Sequence, residues 1–146
     1  MIDLSVLRLE NQLCFPLYVA SRLLTKAYAP LLADLDITYP QYLALLALWE
    51  KDRQSVNALA QRLYLETNTV TPLLKRLHKK GLISRDRSET DERKVIVSLT
   101  ETGRNLRERA ACIPAQIVES MNDGSLKEAQ LLEFRRTLNR IIEVLR

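Results

Sequence analysis

The sequence of 146 residues predicts a mainly α-helical fold with one small β-hairpin, the hairpin following a helix-turn-helix. Three observations carry this expectation. Apolar residues recur at helical spacing near both ends, as in Leu13, Leu17, Ala20 and Leu24 and again in Leu131, Leu138, Ile142 and Leu145. There are only three glycines, while Leu, Ala, Arg and Glu are abundant. One stretch, Val95 to Leu99, instead alternates with the period of a strand.

Taken in order, residues 1–11 form a short separate helix or an arm. A helix begins near Gln12 and runs to about Leu35, because Pro16 is tolerated only in a first turn, and Pro30 marks a kink or break near its far end. A linker, Asp36 to Pro40, leads into an apolar helix from Gln41 to Trp49, and Lys51 to Gln54 is a polar turn. Ser55 caps a short helix carrying Val56, Leu59, Ala60 and Leu63. The brief turn Tyr64–Glu66 then opens the segment around which the chain is organised. Thr67, Asn68, Thr69 and Thr71 stand at the leading end of a helix, Leu73, Leu74 and Leu77 form its apolar stripe, and Gly81 terminates it. Polar groups in front with Lys75, Arg76, Lys79 and Lys80 behind suit a helix whose N-terminus enters a DNA major groove.

Leu82–Arg87 and Lys94–Leu99 read as two strands joined by the polar tip Ser88–Arg93, a hairpin too small to stand unless packed on helices. Thr100 caps the next helix, which is expected to pass Ile117 with a bend at Pro114. Asn122–Ser125 breaks the chain, and an amphipathic helix from Leu126 ends it.

Apolar content of 47% with 27% charged residues describes one folded domain over 1–146. No apolar run reaches the roughly 18–20 residues of a membrane span, and no basic-then-apolar leader opens the chain, so the expected compartment is the cytoplasm and no membrane partner is expected. The two cysteines are no disulfide scaffold. Neither cofactor nor metal is expected, since the single histidine, His78, has no Cys/His partners at ligand spacing. Net charge is only +4, yet eight of the 22 Lys and Arg residues lie between Lys75 and Lys94, the electrostatic footprint of a polyanion binder. Terminal helices this apolar would leave a large exposed patch on a monomer. A homodimer formed through both ends would cover it and hold two recognition helices about 34 Å apart for a palindromic operator.

The tip Asp91-Glu92-Arg93, the strand after it and SLTETG at Ser98–Gly103 resemble the wing and following helix of the winged-helix repressors of the multiple antibiotic resistance (MarR) family. The resemblance spans essentially the whole chain and narrows in Leu13-Cys14-Phe15 with Tyr18, in Thr38-Tyr39-Pro40-Gln41-Tyr42, and in Leu63-Tyr64-Leu65 with Thr71-Pro72-Leu73-Leu74. Those blocks look like the organic hydroperoxide resistance repressor branch. It implies a dimeric winged helix-turn-helix at about 40–99, dimerisation helices at about 1–35 and 101–146, and a repressor that leaves double-stranded DNA when an organic hydroperoxide oxidises its N-terminal cysteine. Arg93 would then reach the minor groove, with Asp91 positioning its guanidinium; an A·T-rich minor groove attracts such a residue. The branch often carries a small residue where this chain has Asn68.

Cys14 is the redox-sensing candidate. A helix beginning near Gln12 puts it in the first turn, where the helix dipole and free amides favour the thiolate that peroxides attack. Tyr18 lies one turn further along the same face. Tyr28 is fourteen residues on, about 21 Å along a continuous helix, so it can meet this sulfur only across a dimer interface. Tyr39 can reach either way. The resemblance implies that Tyr28 and Tyr39 hydrogen-bond the reactive cysteine. It also makes Cys112 the candidate to resolve the oxidised sulfur, the alternative being a small thiol. Two other functions compete: a repressor released by a small aromatic ligand, with Cys14 incidental, and a thiol peroxidase. No activating Arg or Thr accompanies Cys14, and a basic wing has no use in a peroxidase, so an enzyme is not expected.

Overall fold

The computed structural model describes residues 1–146, which form two compact units, Met1–Ile113 and Pro114–Arg146. In the first, two short 3-10 turns (Leu4–Leu7, Leu9–Asn11) precede helix α1 (Cys14–Ala33) and helix α2 (Tyr39–Glu50). Strand β1 (Gln54–Ser55), helix α3 (Val56–Arg62) and helix α4 (Thr67–Lys79) follow, then strands β2 (Ile83–Arg87) and β3 (Val95–Leu99) and helix α5 (Glu101–Ala110). Helix α6 (Ile113–Met121) and helix α7 (Glu128–Leu145) complete the chain.

The helix boundaries follow from local chemistry. Thr38 and Gln41 form a reciprocal capping box at the start of α2, the Gln41 side chain accepting from the Thr38 amide at 3.0 Å. Tyr39 is therefore the first helical residue and not part of a linker. Ser55 Oγ accepts from the Ala58 amide at 3.1 Å and opens α3 as expected. Helix α1 runs through Pro30 without a break, ending three residues later; a proline so close to the end costs a single ladder bond. Pro114 acts more strongly. Instead of one helix bent there, α5 stops at Ala110 and α6 begins at Ile113, because Pro114 has no N–H for the Ala110 carbonyl and is comfortable only in the first turn of a new helix. Cys112 thus lies in the turn between two helices.

The sheet has three strands in the order β1-β3-β2, all antiparallel, where the sequence pattern showed two. Gln54 pairs with Val97 and Ser55 with Ile96, so the segment expected to be a turn in fact fastens the hairpin to the residue that caps α3. Gln54 Nε2 also donates to the carbonyls of Ala47 and Lys51. The core of this unit is Leu45, Leu48, Leu59, Val70, Leu74, Leu77, Ile83 and Val97, all essentially inaccessible.

At the root of the hairpin, Thr100 Oγ1 donates to the Gly81 carbonyl at 2.6 Å and accepts from the Gly103 amide at 3.1 Å, while the Thr100 amide reaches the Leu82 carbonyl at 3.1 Å. Trp49 Nε1 donates to the Gly103 carbonyl at 2.8 Å. Asp52 Oδ1 accepts from the Leu99 amide at 2.8 Å, and its other oxygen lies 3.5 Å from Arg104. Gly103 is obligatory here, since a Cβ would stand 2.0 Å from the Leu82 carbonyl oxygen.

In the second unit, α7 buries none of its residues: Phe134, Ile141, Ile142, Val144 and Leu145 are all exposed. No helix is long and apolar enough to cross a membrane.

Replacing Gly103 with Ala is expected to destabilise the fold by about 1–3 kcal/mol or more, because the contacting atom is backbone and cannot swing aside. Chemical denaturation of both proteins measures it, and equal stability would refute the account of the hairpin root.

Candidate nucleic-acid interface and thiol site

Helices α3 and α4 are joined by Leu63–Glu66, a turn that Tyr64 makes possible by adopting a left-handed backbone conformation (φ 54°). The Tyr64 amide bonds the Gln61 carbonyl, and the Leu65 amide bonds that of Ala60. Thr67, Asn68 and Thr69 are exposed at the leading end of α4, and Thr71 is half-buried. Thr67 Oγ1 reaches Asn57 Oδ1 on α3 at 3.4 Å, tying α4 to α3. Lys75 and Arg76 are exposed further along. His78 Nδ1 lies 3.1 Å from the Ile83 carbonyl, which links the end of α4 to β2 and gives the histidine a structural task.

The hairpin tip is organised by Asp91. Its Oδ1 accepts from the Arg93 amide at 3.1 Å and from Arg93 Nε at 3.4 Å, while Arg93 remains 92% exposed. An ion pair this open contributes about 0–1 kcal/mol of stability. Its effect is to aim a long cation outward. The Lys94 amide bonds the Asp91 carbonyl and the Ser88 amide that of Lys94, closing the tip.

A second cluster joins α1 and α2. The rings of Tyr28 and Tyr39 are 4.6 Å apart, and Tyr42 lies 5.9 Å from Tyr28 and 6.4 Å from Tyr39, with Trp49 edge-on to Tyr42 at 6.4 Å. Burial raises the pKa of all three phenols above the usual 10.0. Neighbouring phenols add to the rise at Tyr28, and Tyr39 followed by Cys112 adds to it at Tyr42. The phenols are thus held neutral, as hydrogen-bond donors. Cys112 itself is exposed, its thiol 3.6 Å from the Arg109 carbonyl. Cys14 is the first residue of α1 and is also exposed; Leu13 before it supplies no side-chain cap to the free amides.

A family model of the transcriptional regulators SarA/Rot matches residues 26–109. The organic hydroperoxide resistance transcriptional regulator of Bacillus subtilis is 56% identical over 112 residues, which is 77% of this chain and 76% of that protein. The chain belongs to the MarR family of winged-helix regulators, in its organic hydroperoxide resistance branch. Among solved structures, reduced AbfR bound to DNA is 36% identical with a TM-score of 0.78, covering 96% of this chain and 95% of that one. Overoxidised AbfR bound to DNA is 34% identical with a TM-score of 0.77, covering 99% and 100%; AbfR is a protein of Staphylococcus epidermidis.

In this MarR-type chain, β2, β3 and their tip are the wing, and α4 is the recognition helix of a winged helix-turn-helix. The fold brings Tyr28 and Tyr39 together but leaves Cys14 and Tyr18 outside their cluster. Cys14 starts the helix that carries Tyr28 about 21 Å further on. Tyr18 instead lies under the guanidinium of Arg22 at 5.2 Å. Sequence reasoning missed Tyr42 as the third phenol, Asn57 as the brace of α4, and Asp52 as the anchor of β3. Tyr42 carried a signal, since it lies three residues after Tyr39 on one helical face. Asn57 and Asp52 carried none, because their partners lie on other elements.

The raised tyrosine values set a pH dependence. An unfolded chain ionises its tyrosines near pH 10 while the folded one still holds these three neutral. Stability that is full below pH 10 should therefore fall as pH rises beyond it. Ultraviolet tyrosinate titration with parallel denaturation should show this, and Tyr42→Phe should remove one late-titrating group. Titration of that group near pH 10 would contradict the burial described.

Proposed function

We propose that the protein is a homodimeric, non-enzymatic, cytoplasmic repressor that binds palindromic double-stranded DNA when reduced and releases it when an organic hydroperoxide oxidises Cys14. Residues 1–146 act as one functional module, in which about 40–99 read DNA and about 1–35 and 101–146 pair the subunits. The exposed apolar residues of the termini, Leu13, Leu17, Leu23, Phe134, Ile141 and Ile142 among them, support that pairing.

The observation that carries the thiol reading is the cluster of Tyr28, Tyr39 and Tyr42, with three neutral phenols close together and no hydrogen bond from their hydroxyls within the chain. Phenol O–H groups donated to a sulfur would hold a reduced Cys14; because helix length keeps that sulfur from Tyr28 of its own chain, the partner subunit's Tyr28 would supply the contact, with Tyr39 beside it. Tyr18, one turn beyond Cys14, would complete the surroundings of the thiol. Oxidation then proceeds in two balanced steps. The Cys14 thiolate attacks the peroxide O–O bond, giving the sulfenic acid and, with a proton, the alcohol. The thiol of the partner subunit's Cys112 displaces water from the sulfenic sulfur and forms a disulfide. Cys112 is among the groups that raise the Tyr42 pKa, which supports that role. Overoxidised AbfR is on DNA, which favours the disulfide over the sulfinate as the releasing state.

On the output side, Thr67, Asn68, Thr69 and Thr71 face the major groove, Lys75 and Arg76 engage phosphates, and Arg93, aimed by Asp91, enters the minor groove.

Cumene hydroperoxide should abolish binding of the wild type to DNA selected from a random library and leave Cys14→Ser bound. Release of both would favour an aromatic-ligand mechanism. On non-reducing gels the oxidised wild type should run as a covalent dimer and Cys112→Ser should not; a dimer band surviving in the mutant removes Cys112 from the pathway. Arg93→Ala should weaken the same selected DNA by about tenfold or more with an unchanged melting temperature. Unaltered affinity would remove the wing from recognition.

A further inference from the structure

Helix α4 has two opposed faces. Val70, Leu73, Leu74 and Leu77 are buried, while Asn68, Pro72, Lys75 and Lys79, at spacings of four, three and four, share the exposed side. The four polar residues at its leading end are not equivalent there. Thr71 Oγ1 already donates to the Thr67 carbonyl at 2.8 Å, Thr67 Oγ1 to Asn57 at 3.4 Å, and Thr69 Oγ1 to Asn68 Oδ1 at 3.4 Å. Each threonine hydroxyl has spent its one hydrogen inside the protein. The Asn68 carboxamide keeps its Nδ2 donor free and has a second lone pair on Oδ1, which the bond from Thr69 orients without exhausting.

Pro72, four residues on, sharpens the contrast. It cannot donate to the Asn68 carbonyl, and it places an exposed apolar ring beside the carboxamide on the same face. A paired donor and acceptor next to an apolar surface is the complement of one base pair in the major groove. Adenine offers N7 as acceptor and N6–H as donor, and thymine offers its methyl group. Guanine by itself presents two acceptors and no donor, so a carboxamide cannot pair with it bidentately, and cytosine has no methyl.

Resting on the reading of α4 as the recognition helix, we propose that Asn68 and Pro72 of each subunit together read one A·T pair per half-site. Asn68 Nδ2 donates to adenine N7, Oδ1 accepts from N6, and the Pro72 ring packs on the thymine methyl. The threonines then act as positioning groups, their hydroxyls bonded within the protein.

The test uses the reduced full-length protein and a randomised double-stranded DNA library. The wild type should enrich a palindrome with one strongly preferred A·T pair in each half. Asn68→Ala should lose about tenfold or more of the preference at that pair, with affinity for unselected DNA within about twofold and an unchanged melting temperature. Deoxyuridine in place of that thymine should weaken the wild type through loss of the methyl group alone. Failure of the wild type to enrich any sequence would overturn the reading of α4 itself. A selected motif that Asn68→Ala reads with undiminished preference, or a uniform loss on all DNA, would overturn the pair assignment while leaving that reading intact. Indifference to deoxyuridine would overturn the part given to Pro72.

Discussion

The backbones of Leu82 and Gly103 cross so closely that no side chain fits between them, and the DNA-reading elements are hung from that crossing. Gly81, in a left-handed conformation at φ 73°, turns the chain out of α4 and into β2. Thr100 binds that turn with both its hydroxyl and its amide, and Trp49 of α2 seals the far side by donating to Gly103. The end of the recognition helix, the base of the wing and the start of α5 are thus joined through backbone groups. Interactions of this kind have little room to drift, so the base of the wing is held at a fixed place against the end of α4. A regulator that works by spacing two such units on one duplex needs that rigidity, because phosphate contacts fix register and a small displacement forfeits them.

A second tie runs through β1. Two residues of strand contribute little burial, yet they bond the wing to the cap of α3, while Asp52 just before them accepts from the Leu99 amide. The supporting helix, the recognition helix and the wing are therefore tied to one another by hydrogen bonds, Asn57 to Thr67 and His78 to Ile83 among them. Helix α2 carries both Tyr39 and Tyr42 of the tyrosine cluster and Trp49, which bonds the hairpin root. Tyr42 and Trp49 are one ring contact apart on that helix, one in touch with the phenols and the other bonded to the hairpin root. A disturbance of the phenols thus has a short, packed route to the elements that read DNA, consistent with the proposed redox release.

The chemistry of the proposed sensor depends on distribution between subunits. An exposed thiol at the first residue of a twenty-residue helix cannot meet a phenol near the end of the same helix. Three neutral phenols held together by burial are equally incomplete within one chain. In the proposed mechanism a second copy supplies what each half lacks, so the proposed switch belongs to the dimer.

Much of this was legible in residue order. Helical periodicity located α1, α4 and α7, Ser55 and Thr100 announced their caps, and alternation from Val95 to Leu99 marked β3, since each of these signals is local. The motif residues of the wing and of the N-terminal helix pointed to the family for the same reason. Tertiary structure decided what depended on distant partners. Gln54 looks like the end of a turn and Ser55 like a cap alone, because a two-residue strand has no periodicity of its own and exists only through its pairing with β3. Pro114 was visible, but whether it bends a helix or divides one depends on how the chain reorganises around its missing N–H. Asn68 is set apart from its threonine neighbours only by where their hydroxyls turn and by which face α4 buries. Sequence by itself determined the elements, their caps and the kinds of side chain available for DNA and peroxide. Packing alone determined which of those side chains were left free to act, because freedom from a partner is a property of the surroundings and not of the residue.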